Sequence, residues 1–149
     1  MLCDRIVFML DRGLTIHTDG GSRGNPGPAA CAFVVEKNDT EIFCKSKFLG
    51  TATNNFAEYS GVITALDWLI ENNTYSMVNF YLDSELVVRQ INGLYKVKDE
   101  NLKKLFLEVL TKIKETKVRI IFKHVPREEN SRADFLVNQE LDTVKVSRL

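Results

Sequence analysis

The order in which hydrophobic periodicity changes along the chain restricts the fold more than any other feature of the sequence. Five segments have the apolar patterns of β-strands: Leu14–Thr18, Ala30–Glu36, Glu41–Leu49, Met77–Leu82 and Val118–Phe122. Four segments have the spacing of helices: Asn55–Ile70, Ser84–Ile91, Asn101–Glu115 and Ser131 to about Asp142. Consecutive strands favour an antiparallel meander, and strands separated by helices favour crossover connections. The order βββαβαβα, with two helical stretches in one crossover, therefore predicts one mixed sheet covered by helices.

The charge balance limits the classes of partner. The 149 residues, enough for one domain, include 20 basic and 20 acidic side chains, and a net charge of zero argues against a protein that coats nucleic acid non-specifically. The segment from Arg89 to Arg132 nevertheless carries 12 basic and 6 acidic residues. This asymmetry fits one face that attracts phosphates and another that gathers carboxylates, and it equally fits a solvated charged helix.

Cysteine usage and hydropathy indicate the compartment. The three cysteines Cys3, Cys31 and Cys44 are widely spaced, which argues against a disulfide framework and a zinc site. No apolar run approaches the roughly 20 residues of a membrane span, and the amino terminus lacks signal-peptide features. We expect a soluble, cytoplasmic protein without membrane contact.

The chain is expected to contain one domain, residues 14–142, with an amino-terminal extension at residues 1–13 and a carboxy-terminal tail at residues 143–149. The extension carries an apolar patch, Ile6–Leu10, which is compatible with an extra strand, a helical turn or a segment that covers a surface.

The stretch TDGGSRGNPGP follows the first predicted strand and contains four glycines and two prolines in the nine residues after Asp19. A plain turn needs one or two such residues. The excess predicts a backbone shaped to lie close to a ligand.

Four carboxylates stand at the ends of predicted elements. Asp19 and Asp83 end the first and fourth strands, where either alone could be a turn former or a helix cap. Glu58 shares a helical stripe with Val62 and should point towards the sheet, and Asp134 stands similarly in the first turn of the last helix. Buried carboxylates need cations, and hard oxygen ligands suit magnesium or manganese. Two such ions support phosphodiester hydrolysis.

Four quoted pieces together resemble ribonuclease H of type one, in the order of that family and across residues 14–142. They are TDGGSRGNPGP, TNNFAEYSGVITAL, FYLDSELVV and HVPREENSRADFLVN. The resemblance implies an α/β ribonuclease H-like fold: a five-stranded mixed sheet, three antiparallel strands then two parallel strands reached through helices, with helices on both faces. It also implies an endonuclease that cuts the RNA strand of RNA–DNA hybrids and leaves 5′-phosphate and 3′-hydroxyl ends. Two Mg²⁺ ions, or Mn²⁺, would be held by Asp19, Glu58, Asp83 and Asp134.

The resemblance extends to residues around the carboxylates. His124 and Arg127 match catalytic positions, although His124 could simply end a strand and Arg127 could pair with Glu128 or Glu129. The substrate-binding positions implied are Gly20, Gly21, Gly24, Asn25, Thr53, Asn54 and Asn55. The glycines would lie against a sugar edge, the asparagines would bind 2′-hydroxyls, and Thr53 would seat a phosphate of the DNA strand. Each asparagine also has a turn-forming alternative.

Two departures from the family pattern concern substrate affinity. The basic, tryptophan-rich protrusion of many members is absent, and QINGLYKVKDENLKKL leads directly into the next helix. Lys96, Lys98, Lys103 and Lys104 are candidates to replace it, with Tyr95 as a stacking residue. Thr51 stands where some members carry a basic partner of the phosphate pocket.

Alternative functions remain open at this point. A non-catalytic domain of the same fold would bind hybrids without cutting them, and a transposase or resolvase core would cut DNA. Double-stranded RNA is a further possible substrate, and a monomer is expected. All four acids are present, which favours the enzyme, since a binding domain has no need for mutually repelling carboxylates.

Overall fold

The computed structural model describes residues 13–147, in which the strands and helices follow one another in the predicted order. The strands are β1 (Leu14–Ser22), β2 (Gly27–Lys37), β3 (Thr40–Ala52), β4 (Met77–Leu82) and β5 (Arg119–His124). The helices are α1 (Asn54–Glu71), α2 (Glu85–Ile91), α3 (Glu100–Thr116) and α4 (Ser131–Ser147), with a 3₁₀ turn at Arg127–Asn130. The predicted extension at residues 1–13, including Ile6–Leu10, lies outside the described residues except for Gly13.

The sheet has the strand order β3-β2-β1-β4-β5. β1 pairs antiparallel with β2, and β2 pairs antiparallel with β3. β4 is parallel to both β1 and β5. Helices return the chain over the sheet before β4 and before β5, which makes the parallel pairing possible. The predicted five-stranded mixed sheet is confirmed.

Helices cover both faces of this sheet. On one face α1 packs over the strands and α3 packs against α1, and the buried core there includes Leu14, Ile16, Phe33, Tyr59, Leu66, Phe80 and Val109. On the other face α4 packs over β2 through a smaller cluster, which includes Ala30, Ala32, Val34, Ala133, Leu136, Val137 and Leu141. β2 is thus apolar on both sides, which explains its continuous hydrophobic run. Each large buried side chain contributes about 1.5–3 kcal/mol to folding.

The last helix differs from its prediction at both ends. Ser131 has helical backbone angles (φ −63°, ψ −34°), so it is not the N-cap that its residue type suggested. The 3₁₀ turn runs directly into α4, and the extended residue before this helical segment is Pro126 (φ −61°, ψ 153°). At the other end α4 continues to Ser147, beyond the predicted end near Asp142.

The described residues also show the state of two cysteines and the hydropathy of the helices. Cys31 and Cys44 are both free thiols. None of the helices within residues 13–147 combines the length and apolarity that a bilayer crossing requires.

Candidate active site

The parallel pairing of β1 and β4 brings Asp19 and Asp83 to the same edge of the sheet. The last paired residues are Thr18 and Leu82, so each aspartate directly follows the end of that pairing. Asp83 does not cap the following helix, because the N-cap of α2 is Ser84, whose hydroxyl accepts a hydrogen bond from the amide of Val87. Asp19 is still within β1, which continues to Ser22 through its pairing with β2.

Close approach of α1 to β1 places Glu58 beside Asp19. A Cβ atom at Gly20 would overlap the backbone of Ala57 and Glu58, and one at Gly61 would lie 2.8 Å from the carbonyl oxygen of Asp19. Only glycine permits this contact at either position. The structure therefore gives Gly20 a packing role that the sequence prediction, which assigned it to substrate, did not include.

Asp19, Glu58 and Asp83 form a compact group, in which one carboxylate oxygen from each lies within 4.8 Å of the others. Asp19 is 4% and Glu58 9% exposed, and Asp83 is half-buried. Oε2 of Glu58 is buried and has no hydrogen-bond partner among residues 13–147. A buried acceptor without a partner is costly, which is consistent with a site that needs a cation.

Asp134 borders the same cavity, of about 340 Å³, but is outside this group of three. Its side chain is 33% exposed, and its Oδ1 atom lies 3.6 Å from Nη2 of Arg127. The structure thus brings three of the four predicted carboxylates into direct proximity and places the fourth on the same cavity.

Burial and mutual repulsion raise the pKa values of two of these carboxylates, Asp19 and Glu58. Burial, with a further contribution from the charge of Asp83, raises the pKa of Asp19 to about 8. Burial, followed by the charges of Asp19 and Asp83, raises the pKa of Glu58 well above its usual range. A divalent cation would relieve both effects. Hard oxygen donors, the unpartnered Oε2 and the crowded charges all fit a divalent metal ion, so this cluster could hold one.

These pKa shifts predict how stability depends on pH. In the presence of a chelator, folded Asp19 keeps a proton that the unfolded chain releases, so stability should fall as pH rises from about 4 to about 8. The Asp19→Asn variant cannot release this proton, and we expect it to be about 2–4 kcal/mol more stable than the unchanged chain at pH 8. The difference should nearly vanish at pH 4. Urea denaturation at several pH values measures it, and parallel curves for the two proteins would contradict the prediction.

Asn130 is a site residue that the sequence prediction missed. It is 1% exposed, and its amide nitrogen donates to the carbonyl of Thr18 at 2.9 Å and to Oδ1 of Asp83 at 3.4 Å. Its oxygen lies 3.1 Å from Nδ1 of His17. Asn130 therefore ties the ends of β1 and β4 together beside the carboxylates. Its spacing to Ala133 and Val137, three and seven residues later on the buried face of α4, was the signal that could have identified it.

The two predicted catalytic residues outside the carboxylates occupy different places. Arg127 borders the carboxylate cavity and pairs with Asp134, rather than with Glu128 or Glu129 as the alternative interpretation proposed. His124 is exposed at the end of β5, opposite Leu82, and borders a separate cavity with Tyr81 and Glu129.

The asparagines fasten the loop between β1 and β2 to α1. The amide of Ser22 donates to Oδ1 of Asn54 at 2.8 Å, and the amide of Asn54 donates to Oδ1 of Asn25 at 3.0 Å. The Ser22 hydroxyl also lies within hydrogen-bond distance of the carbonyls of Gly24 and Ala52, to either of which it can donate its single hydrogen. Because these bonds use the asparagine oxygens, the amide NH₂ groups are the parts that can donate to a ligand.

The predicted substrate-binding residues border two cavities. Gly20, Gly21 and Asn54 line the carboxylate cavity. Asn25, Thr53 and Asn55 line a second cavity of about 700 Å³, together with Thr51 and Lys104. Gly24 adopts a φ of +110°, which favours glycine, and lines neither cavity. Thr53 also caps α1, since its hydroxyl accepts from the amide of Phe56 at 3.2 Å.

Of the lysines predicted to replace the protrusion, Lys104 of α3 borders this second cavity, whereas Lys96 and Lys103 border another cavity with Tyr95. Asp99 caps α3 by accepting from the amides of Asn101 and Leu102. Tyr95 is exposed, but the guanidinium of Arg89 lies 5.3 Å from the centre of its ring. A base stacked on Tyr95 would therefore have to share that ring with Arg89.

Comparison with known proteins identifies a matching family model and related chains. A family model described as reverse transcriptase-like matches residues 17–140. A ribonuclease HI of Halobacterium salinarum is 38% identical over 142 residues, which cover 91% of this chain and 69% of the relative. A bifunctional protein of Mycobacterium tuberculosis is 40% identical over 136 residues, which cover 90% of this chain. The matched region spans only 37% of that mycobacterial relative.

A solved structure has the same fold. LC11-RNase H1 in complex with an RNA/DNA hybrid superposes with a TM-score of 0.85 at 40% identity. The match covers 89% of this chain and 99% of that protein.

Proposed function

Because the chain belongs to the ribonuclease HI family, we propose that it hydrolyses the RNA strand of RNA–DNA hybrids and leaves 5′-phosphate and 3′-hydroxyl ends. The observation that carries the proposal is the group of three carboxylates, Asp19, Glu58 and Asp83, within 4.8 Å of one another at the edge of the sheet. The hybrid bound to LC11-RNase H1 supports the choice of substrate.

In this proposal the three carboxylates would hold divalent metal, with Asp134 as the fourth ligand. Two Mg²⁺ ions, or Mn²⁺, suit the donor set, since it consists of carboxylate oxygens without sulfur or imidazole. When bound, such ions would activate a water nucleophile and stabilise the charge on the leaving 3′-oxygen.

Other residues of the chain would position the carboxylates and supply positive charge for the phosphate. Asn130 holds the Asp83 carboxylate in place through its amide nitrogen, and the contact between α1 and β1 fixes Glu58. Arg127, 78% exposed beside Asp134, is free to contact the phosphate that is cut. We assign His124, exposed outside the carboxylate cavity, to product departure rather than to bond cleavage.

In this proposal, residues that border the two cavities recognise the two strands of the hybrid. The NH₂ groups of Asn25 and Asn54, and Asn55 beside them, would donate to 2′-hydroxyls, which distinguish RNA from DNA. Gly20 and Gly21 would let the sugar edge approach the backbone, and Gly24 would shape the loop. Thr53 and Lys104 would seat a phosphate of the DNA strand in the second cavity, where Lys104 replaces part of the missing protrusion.

The experiment compares end-labelled substrates of one sequence as RNA–DNA hybrid, DNA duplex, RNA duplex and single-stranded RNA, with Mg²⁺ or Mn²⁺. We expect the RNA strand of the hybrid to be cut and the DNA strand to stay intact, with loss of cleavage in excess chelator. The ends of the products are read by mass spectrometry. Hybrid binding without cleavage would instead identify a non-catalytic binding domain, and cutting of the DNA strand would contradict the proposal.

A further inference from the structure

Arg23 is a basic residue of the carboxylate cavity that has no role in the proposed function. It lies in the loop between β1 and β2, and it and Arg127 are the two basic residues among the described residues that line this cavity. A cavity that gathers four carboxylates repels the phosphates of a nucleic acid, so each cation on its wall matters for substrate approach.

Contacts with α4 hold the Arg23 side chain in position. Nη2 lies 2.7 Å from Oδ1 of Asp142 and also donates to the backbone oxygen and Oδ1 of Asn138, at 3.4 and 3.5 Å. All these contacts with α4 use one nitrogen of the guanidinium, so the other nitrogens keep their donors for the oxygens of a phosphate. The pair is open to solvent, with 38% of Arg23 and 67% of Asp142 exposed, so it orients the arginine more than it stabilises the fold.

The partners of the two arginines follow one row of α4. Asp134, which pairs with Arg127, and Asn138 and Asp142, which bind Arg23, stand four residues apart in succession. Eight residues of helix span about 12 Å, so Arg23 and Arg127 contact points on α4 separated by about that distance. A single nucleic-acid strand covers such a distance with a few nucleotides. The two arginines can therefore meet different phosphates of the same strand.

We propose that Arg23 binds a backbone phosphate of the RNA strand, a few nucleotides from the phosphate that is cut. The RNA strand is the one assigned because the strand that is cut must pass over the carboxylates, and Arg23 lines their cavity. This inference rests on the proposed function and adds a phosphate contact that the glycines and Asn25 of the same loop do not provide.

The test combines Arg23→Ala, the charge-preserving Arg23→Lys, and Asp142→Asn, which removes the tether but keeps the arginine. Hybrid affinity is measured by fluorescence anisotropy from about 50 to about 200 mM KCl, a range over which affinity that depends on phosphate contacts changes steeply. An Asp19→Asn background with Mg²⁺ prevents cleavage during this titration. Steady-state kinetics on the otherwise unchanged chain separate KM from kcat.

For Arg23→Ala we expect the slope of log affinity against log salt to be smaller by about 0.7–0.9, and KM to rise about 5-fold with kcat little changed. Arg23→Lys should keep the slope, and so should Asp142→Asn. An unchanged slope in Arg23→Ala would overturn the inference. A decrease in slope in Asp142→Asn equal to that in Arg23→Ala would also overturn it, because Arg23 would then act only by fastening the loop to α4. If the unchanged chain cuts no hybrid, the proposed function fails instead, whatever the slope.

Discussion

Turnover of the hybrid should fall by at least about a thousand-fold when Asp19 is replaced by asparagine. Asparagine keeps the volume of the side chain but removes one of the three charges that lie within 4.8 Å of one another. A divalent ion held by the remaining pair would lose a ligand from the most buried part of the site, where Asp19 is 4% exposed. Single-turnover cleavage of a labelled hybrid at saturating protein measures the loss.

Asp67→Asn is the matched control for this prediction. Asp67 lies on α1, is exposed, and pairs with Lys112 away from the cavity, so its replacement changes the net charge equally. We expect this control to retain nearly full activity. An Asp19→Asn protein that keeps more than roughly a tenth of the activity would show that Asp19 is not a ligand of the catalytic metal.

Replacement of Gly20 by alanine should destabilise the fold by about 3 kcal/mol or more. The new Cβ atom would meet backbone atoms of Ala57 and Glu58, which cannot move aside as a flexible side chain can. Relief requires α1 to move away from β1, which opens the core beneath Tyr59 and withdraws Glu58 from Asp19. Urea denaturation measures the loss in the free energy of unfolding.

Gly21→Ala provides the comparison, because it adds the same methyl group one residue later. Its Cβ would lie 3.5 Å from Cγ1 of Val137, an ordinary packing distance. We expect a change in stability within about 1 kcal/mol. Equal stability of the Gly20 and Gly21 variants would mean that the contact between α1 and β1 does not depend on glycine.

The sequence predicted those parts of the site that follow from periodicity. Glu58 was identified because it shares a helical stripe with Val62, and both are buried. Asp83 was placed at a strand end because the apolar pattern of Met77–Leu82 stops there, and the structure has the same strand bounds. The same reasoning applied to the last helix would have identified Asn130. The charged residues before it in REEN indicated a loop instead.

Other features depend on contacts between distant elements, which a linear pattern does not contain. The packing role of Gly20 requires the distance between α1 and β1. The pairing of Arg127 with Asp134 depends on the 3₁₀ turn that continues into α4, and the same turn removed the cap predicted at Ser131. The tether of Arg23 to Asp142 joins residues 119 positions apart, which only the packing of α4 over the sheet brings together.

The central claim is that carboxylates from β1, α1 and the end of β4 form one site for divalent metal. Anomalous diffraction from a crystal soaked in Mn²⁺ tests it most directly, since the scattering locates the ion without reference to activity. We expect a peak about 2 Å from carboxylate oxygens of Asp19, Glu58 and Asp83. Saturating Mn²⁺ that leaves no peak among these three side chains would contradict it.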